Sequence, residues 1–101
     1  MSAFFLFDNK VSRDPAKLER YKRQVAPVVA AFGGAYRVIS PAPEVVEGSR
    51  RPTVLVMIEF PTAARARAWY DSEEYRALKA MRREAVDCDG VLVTGLDEAS
   101  G

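Results

Sequence analysis

The stretch that decides the fold is Val54-Leu55-Val56-Met57-Ile58-Glu59-Phe60, an apolar run interrupted by one carboxylate. Its β-branched and aromatic residues favour a strand, which Pro61 ends. Successive side chains of a strand point to opposite faces of the sheet. This alternation places Val54, Val56, Ile58 and Phe60 on one face, and Leu55, Met57 and Glu59 on the other. Both faces are mainly apolar, so the sequence predicts a strand that needs cover on both sides.

The N-terminal segment repeats this two-faced pattern. Residues 3 to 7, Ala-Phe-Phe-Leu-Phe, are expected to form the first strand, with Phe5 and Phe7 on one face and Phe4 and Leu6 on the other. Helices that cover one face would leave an exposed apolar patch on the second face of a monomer. Two copies packed through these faces would remove the patch, so we predict a two-fold homodimer joined through its sheets.

Capping residues mark the expected helices. Asp14 suits the N-cap of a first helix and Pro15 its first turn, while Gly33-Gly34 ends it. Thr62 and Ser72 are expected to cap two further helices. Helical spacing predicts a buried stripe on the first helix formed by Leu18, Tyr21, Val25, Val28 and Phe32.

Two further strands are predicted, at residues 35 to 39 and 90 to 96. The resulting order β, α, β, β, α, α, β fits an α+β ferredoxin-like βαββαβ sandwich, whose antiparallel sheet has the strand order 4-1-3-2. We expect residues 1 to 97 to form a single domain, and residues 98 to 101 to form a flexible C-terminal tail.

Composition excludes several classes of partner. Fifteen basic and fourteen acidic residues leave a net charge of +1, so no nucleic acid or membrane partner is expected. No apolar run approaches the roughly 20 residues that span a bilayer. Cys88 is the single cysteine of the chain, and the N-terminus lacks the pattern of a secretory signal. These observations predict a cytoplasmic protein.

The residues available for chemistry are few. The chain contains no histidine, which excludes Ser-His-Asp and Cys-His nucleophiles, histidine metal ligands and a histidine-bound haem. Cys88 lies between Asp87 and Asp89, whose charges disfavour a thiolate, so we assign it no catalytic role. No glycine-rich phosphate loop links a strand to a helix. We therefore expect no metal and no cofactor.

Several segments together carry a family resemblance: Gly33-Gly34-Ala35-Tyr36, Val46-Glu47-Gly48, Ile58-Glu59-Phe60-Pro61, Ala68-Trp69-Tyr70-Asp71-Ser72-Glu73-Glu74-Tyr75 and Asp87-Cys88-Asp89. Their order and spacing resemble the domain of unknown function 1330 family over nearly the whole chain. The resemblance implies membership of the dimeric α/β barrel superfamily, in which two ferredoxin-like subunits pack sheet to sheet. It implies no particular reaction.

One group of side chains is a candidate ligand-binding site beside the sheet. It comprises Arg37, Glu59, Trp69, Tyr70, Tyr75 and Arg82. Apolar walls with a few orienting polar groups suit a small apolar or aromatic metabolite. Structural roles remain open for the same residues. Arg37 and Glu59 can form an ion pair across neighbouring strands, Trp69 and Tyr70 can anchor the core or the dimer, and Arg82 can pair with Asp89.

Two functions of different classes are compatible with these residues. The first is a homodimeric domain that binds a small molecule in a pocket beside the sheet without transforming it. The alternative is a cofactor-independent enzyme of isomerase or monooxygenase type, with Glu59 as its candidate catalytic base and Arg37 stabilising a developing anion. The sequence favours the first because it contains no catalytic constellation, and it leaves enzymatic activity undecided.

Overall fold

A computed structural model describes residues 2–96 of the chain. Four strands and three helices follow one another in the predicted order. They are β1 (Ala3–Ser12), α1 (Pro15–Ala31), β2 (Ala35–Ser40), β3 (Val54–Phe60), α2 (Ala63–Tyr70), α3 (Glu73–Ala85) and β4 (Val86–Thr94). The predicted C-terminal tail, residues 98 to 101, lies outside the described residues.

The four strands form one antiparallel sheet in the order β2-β3-β1-β4. This is the predicted order 4-1-3-2 counted from the other edge, and the predicted ferredoxin-like α+β fold is confirmed. The helices pack on one face of the sheet, where β1 contributes Phe5 and Phe7 and β3 contributes Ile58 and Phe60 to the buried core. The two-residue alternation therefore assigned these side chains to the correct face.

The last strand begins earlier than predicted. The sequence predicts this strand at residues 90 to 96, whereas β4 runs from Val86 to Thr94. The reason is the length of β1, which pairs with β4 from Ala3 to Ser12. Lys10 also forms an ion pair with Asp89, at 2.5 Å. Extended pairing with β1 therefore overrides the low strand propensity of the two aspartates.

Helix α1 begins at the predicted cap, where a side-chain oxygen of Asp14 accepts a hydrogen bond from the Lys17 amide at 3.1 Å. Its buried stripe is shifted from the predicted one. Tyr21, Val25 and Val29 are the buried residues of this helix, while Leu18, Val28 and Phe32 are partly buried against the core. The predicted stripe lacked Val29, which follows Tyr21 and Val25 at a spacing of four residues and therefore lies on the same face of the helix.

The centre of the core is aromatic. Trp69 and Tyr75 have no exposed surface, and their ring centroids lie 4.2 Å apart. Phe5 packs edge-on against Trp69 at a centroid distance of 5.4 Å and against Phe60 at 6.3 Å. These rings connect β1 and β3 to α2 and α3, so they hold the helices against the sheet.

The other face of the sheet has no covering helix. Its central row places Val38, Met57, Leu6 and Val91 side by side on four neighbouring strands. Val38 and Val91 are 40% and 52% exposed, and Met57 and Leu6 are partly buried. We call this surface, with Phe4 and Leu55, the open sheet face. Among the described residues, no helix is long and apolar enough to cross a membrane.

Candidate functional site

A cavity of about 470 Å³ lies between α1 and the sheet, on the covered face. Most of its wall is apolar, because α1 and β3 both turn aliphatic side chains towards it. These side chains include Leu18, Val25, Val54, Val56 and Ile58. Its polar groups include Tyr21, Tyr36, Arg82 and Asn9, together with Ser12, Lys10 and Lys22. We call it the helix-side cavity.

Two buried hydroxyl groups and one guanidinium form a hydrogen-bonded chain at this cavity. The hydroxyl groups of Tyr21 and Tyr75 lie 2.8 Å apart. The Nε atom of Arg82 donates to the Tyr75 hydroxyl at 3.3 Å. Because Tyr21 belongs to α1 and the other two residues to α3, the packing of these helices positions the chain.

Arg82 is buried, with 6% of its surface exposed. Its guanidinium carbon lies 4.8 Å from the centroid of the Phe7 ring, a cation–π contact. The expected pairing of Arg82 with Asp89 is not formed, because Asp89 pairs with Lys10 and Arg82 turns inward from α3. No carboxylate within residues 2–96 lies at ion-pair distance from Arg82.

Tyr21 and Tyr36, which line the cavity, and Tyr75 beside them are neutral phenols near pH 7. Burial raises the pKa of Tyr21 and of Tyr75 above the ordinary value of 10.0. Burial likewise raises the pKa of Tyr36 to about 12. These hydroxyl groups can therefore donate or accept hydrogen bonds, but they supply no negative charge.

Asn9 presents an unsatisfied polar atom at the same cavity. Its Oδ1 atom is buried and has no hydrogen-bond partner among the described residues. A buried acceptor without a donor is costly, so this atom offers a contact to a hydroxyl or N–H group that enters the cavity.

Glu59 and Arg37 lie on the open sheet face, opposite the helix-side cavity. The Nε atom of Arg37 donates to Oε1 of Glu59 at 2.8 Å, and the Ser2 hydroxyl donates to Oε2 at 2.9 Å. These two hydrogen bonds hold the pKa of Glu59 below its ordinary value, and the bond from Arg37 has the larger effect. Glu59 is therefore a carboxylate stabilised as an anion, which is a poor base near neutral pH.

The three aromatic residues of the predicted site belong to the core on the helix side. Trp69 and Tyr75 are fully buried, and the indole Nε1 of Trp69 has no hydrogen-bond partner within the described part of the chain. Tyr70 is partly buried, stacks on Phe5 at 5.3 Å and carries the Lys79 ammonium 4.1 Å above its ring.

A second, smaller cavity of about 330 Å³ lies near Tyr70, between α2, α3 and β4. Its basic wall contains Arg67, Arg82 and Arg83, and Cys88 lies beside them. Arg82 and Phe7 line both cavities and thus lie between them.

The predicted site residues therefore separate into two groups. Arg37 and Glu59 lie together on the open sheet face, whereas Trp69, Tyr70, Tyr75 and Arg82 lie on the helix side. Tyr21, Asn9 and Tyr36 line the cavity but are not among the predicted site residues. Tyr21 was placed in the core stripe of α1, and its polar hydroxyl in that stripe was the signal that it needed a partner.

The described residues contain no group of three or more Cys, Asp or Glu side chains that could hold a metal ion. The polar groups of the helix-side cavity are hydroxyl groups, cationic side chains and the Asn9 amide, which suit an oxygen-bearing organic molecule better than a metal ion. The expectation that no cofactor is bound stays a prediction.

Fold and cavity together define a small ferredoxin-like α+β domain with a concave site between helices and sheet. The chain belongs to the Domain of unknown function (DUF1330) family, whose model matches residues 2–96. The predicted family is therefore confirmed. A search of the curated proteins found no significant match.

Solved structures share the fold at low sequence identity. RPA0582 of Rhodopseudomonas palustris, a protein of unknown function, is 18% identical, with 94% of this chain and 82% of that chain covered and a TM-score of 0.75. SnoaB of Streptomyces nogalater, a cofactor-independent oxygenase, is 16% identical over 93% and 92%, with a TM-score of 0.66. A dimeric ferredoxin-like protein of unknown function from Thermobifida fusca is 15% identical over 94% and 92%, with a TM-score of 0.62. Similarity at this level shows the fold alone.

Proposed function

We propose that the protein is a cytoplasmic homodimer of single-domain subunits that binds a small apolar or aromatic molecule in the helix-side cavity. The observation that carries the proposal is the convergence of Tyr21, Tyr36 and Arg82 on a cavity of about 470 Å³ with mostly apolar walls. Ligand pockets typically combine this size with apolar walls and few polar groups. The walls would bury the body of the molecule, and the polar groups would orient it.

The proposed dimer is supported by the open sheet face. Exposed Val38, Val91 and Val93 surround the partly buried Leu6 and Met57 on a surface that no helix of residues 2–96 covers. A second copy of this face would bury these side chains without exposing the core. The fold also occurs in proteins described as dimeric, from Thermobifida fusca and from Jannaschia. The single cysteine of the chain is compatible with the proposed cytoplasmic location.

The enzyme alternative has less support. SnoaB is a cofactor-independent oxygenase, but a structure 16% identical in sequence carries no reaction over to this chain. Glu59, the base in this alternative, lies on the face opposite the helix-side cavity and is hydrogen-bonded to Arg37. A carboxylate with a lowered pKa lacks the basicity that proton abstraction near neutral pH needs.

Filling the mouth of the helix-side cavity tests the proposal. Ala26 is an exposed residue of α1 that lines the cavity, whereas Ala30 is exposed on the same helix and does not line it. We expect the unmodified protein to bind the apolar fluorophore N-phenyl-1-naphthylamine. Ala26→Trp should weaken this binding about tenfold or more by occupying the space, and Ala30→Trp should leave it unchanged.

Binding is measured by fluorescence titration of the folded variants, whose dimeric state is checked by sedimentation. Equal affinity of the two tryptophan variants would place the fluorophore outside the cavity. Absence of binding to the unmodified protein would contradict the proposed function.

A further inference from the structure

Arg82 carries a buried positive charge without a counter-anion. It is 6% exposed, and no carboxylate within residues 2–96 pairs with it. Its side chain hydrogen-bonds through Nε to the Tyr75 hydroxyl and lies over the Phe7 ring. A phenol and an aromatic face replace only part of the hydration that a guanidinium loses on burial.

The groups nearest to Arg82 do not supply the missing charge. Burial raises the pKa values of Tyr21 and Tyr75, so both phenols keep their protons near pH 7. Burial also raises the pKa of Cys88, which therefore remains a neutral thiol. The surroundings of Arg82 are thus polar and aromatic but uncharged.

The other charged residues that line the cavity are also basic. Lys10 and Lys22 join Arg82 in the wall, and no acidic residue of the described chain lines it. Lys10 is held by Asp89 and Lys22 by Glu19, both through exposed ion pairs at the rim. Arg82 is the buried cation that remains available inside.

We propose that the molecule bound in the helix-side cavity is an organic oxyanion, an apolar or aromatic body with one carboxylate-type group that Arg82 binds. This inference rests on the proposed function. No oxygen of residues 2–96 accepts a hydrogen bond from the two terminal nitrogens of Arg82, and the side chain's other contact is the weakly accepting Cys88 thiol, so two oxygens of a ligand can bind this planar fork. The unpartnered Oδ1 of Asn9 provides a contact for a donor on the same molecule.

Two fluorophores that differ by one charged group test this assignment. 8-Anilinonaphthalene-1-sulfonate carries an oxyanion, and N-phenyl-1-naphthylamine is the same skeleton without it. We expect the unmodified protein to bind the sulfonate at least about tenfold more tightly, equivalent to about 1.4 kcal/mol. Arg82→Met, which keeps an unbranched apolar side chain, should remove this preference, measured as the ratio of the two affinities on the same variant.

Two further measurements make the outcome specific. Arg67 lines the second cavity but not the helix-side cavity, so Arg67→Ala should preserve the preference for the sulfonate. The melting temperature of Arg82→Met should not fall, because an apolar residue replaces an unpaired buried charge. If the methionine variant does not fold, the affinities of the two fluorophores are compared on Arg82→Gln instead.

The possible results separate the two proposals. Equal binding of both fluorophores by the unmodified protein, or an undiminished preference in the Arg82 variant, overturns the oxyanion assignment and leaves the proposed function standing. Loss of the preference in Arg67→Ala places the anion in the second cavity and also overturns the assignment. Binding of neither fluorophore overturns the proposed function itself.

Discussion

Arg37 reaches Glu59 across β2 and β3 because the pairing of these strands shifts register between Tyr36 and Val38. Ala35 is the direct partner of Glu59, and at the irregularity that follows Arg37 lies on the same side of the sheet, within reach of this carboxylate. The negative charge of the carboxylate that interrupts the apolar β3 strand is thereby paired with the positive charge of Arg37 at the end of the sheet. The desolvation cost of this carboxylate is small, since 28% of the Glu59 side chain remains exposed.

This pair predicts a pH dependence of folding. Because the pKa of Glu59 is lowered in the folded state, its contribution to stability is present above the ordinary pKa of 4.5 and is lost as the pH falls through the folded pKa. Glu59→Gln should therefore be less stable than the unmodified protein at pH 7, and the difference should shrink towards pH 3. Urea unfolding across this range measures it.

The control for this experiment is Glu44→Gln, in the exposed connection between β2 and β3. It should match the unmodified protein throughout the pH range. A Glu59→Gln deficit that stays constant down to pH 3 would show that the ionisation of Glu59 does not contribute to folding.

The open sheet face predicts that Met57→Lys dissociates or unfolds the dimer. The substitution places an ammonium group in the middle of the proposed interface, opposite the apolar Leu6 and Val38, while the acidic Glu59 two residues along the strand is already paired with Arg37. Sedimentation velocity at micromolar concentration should show a dimer for the unmodified protein and a monomer or unfolded chain for the variant. Val46→Lys, at a loop position that is 87% exposed, should sediment as the unmodified protein does. A stable dimer of Met57→Lys would contradict the interface assignment.

The hydroxyl pair of Tyr21 and Tyr75 predicts energetic coupling between α1 and α3. Tyr21→Phe and Tyr75→Phe should each lower the free energy of unfolding by about 0.5 to 1.5 kcal/mol, because each removes one partner of a buried hydrogen bond. The double variant should lose less than the sum of the two, since the second substitution removes a hydroxyl already left alone. Strictly additive losses would mean that the two hydroxyl groups do not stabilise each other.

Gly90 packs so closely against Phe7 that adding a single methyl group at this position should disturb the cavities. A Cβ atom at this position would lie 2.6 Å from the Phe7 ring. Gly90→Ala should therefore destabilise the protein by about 1 to 3 kcal/mol through displacement of a buried ring. It should also alter fluorophore binding, because Phe7 lines both cavities. Thr94→Ala, on an exposed position of the same strand, is the control for both measurements.

Local sequence signals predicted the fold well because they act within a few residues. The Asp14 cap, the glycines after α1 and the alternation in β3 each depend on neighbouring residues alone. The early start of β4 was missed because it depends on pairing with a strand more than 70 residues away. Propensity alone could not contain that information.

The candidate site was harder to predict for the same physical reason. Arg82 and Tyr75 were identified as polar groups among apolar residues, but their partner Tyr21 lies on another helix, 54 residues earlier than Tyr75. Arg37 and Glu59 were grouped with them because adjacent strands bring them close. A strand has two faces, and nothing local specified which one the ligand uses.

Strand β1 lies between β3 and β4, and its neighbouring residues serve opposite sides of the sheet. Phe7 forms a wall of both cavities, while Leu6 belongs to the open sheet face. Removal of one residue inside this strand would exchange the two sides and spoil ligand contacts and subunit contacts together. Point substitutions can therefore diversify either surface during evolution, whereas the length of β1 between its ends is constrained by both at once.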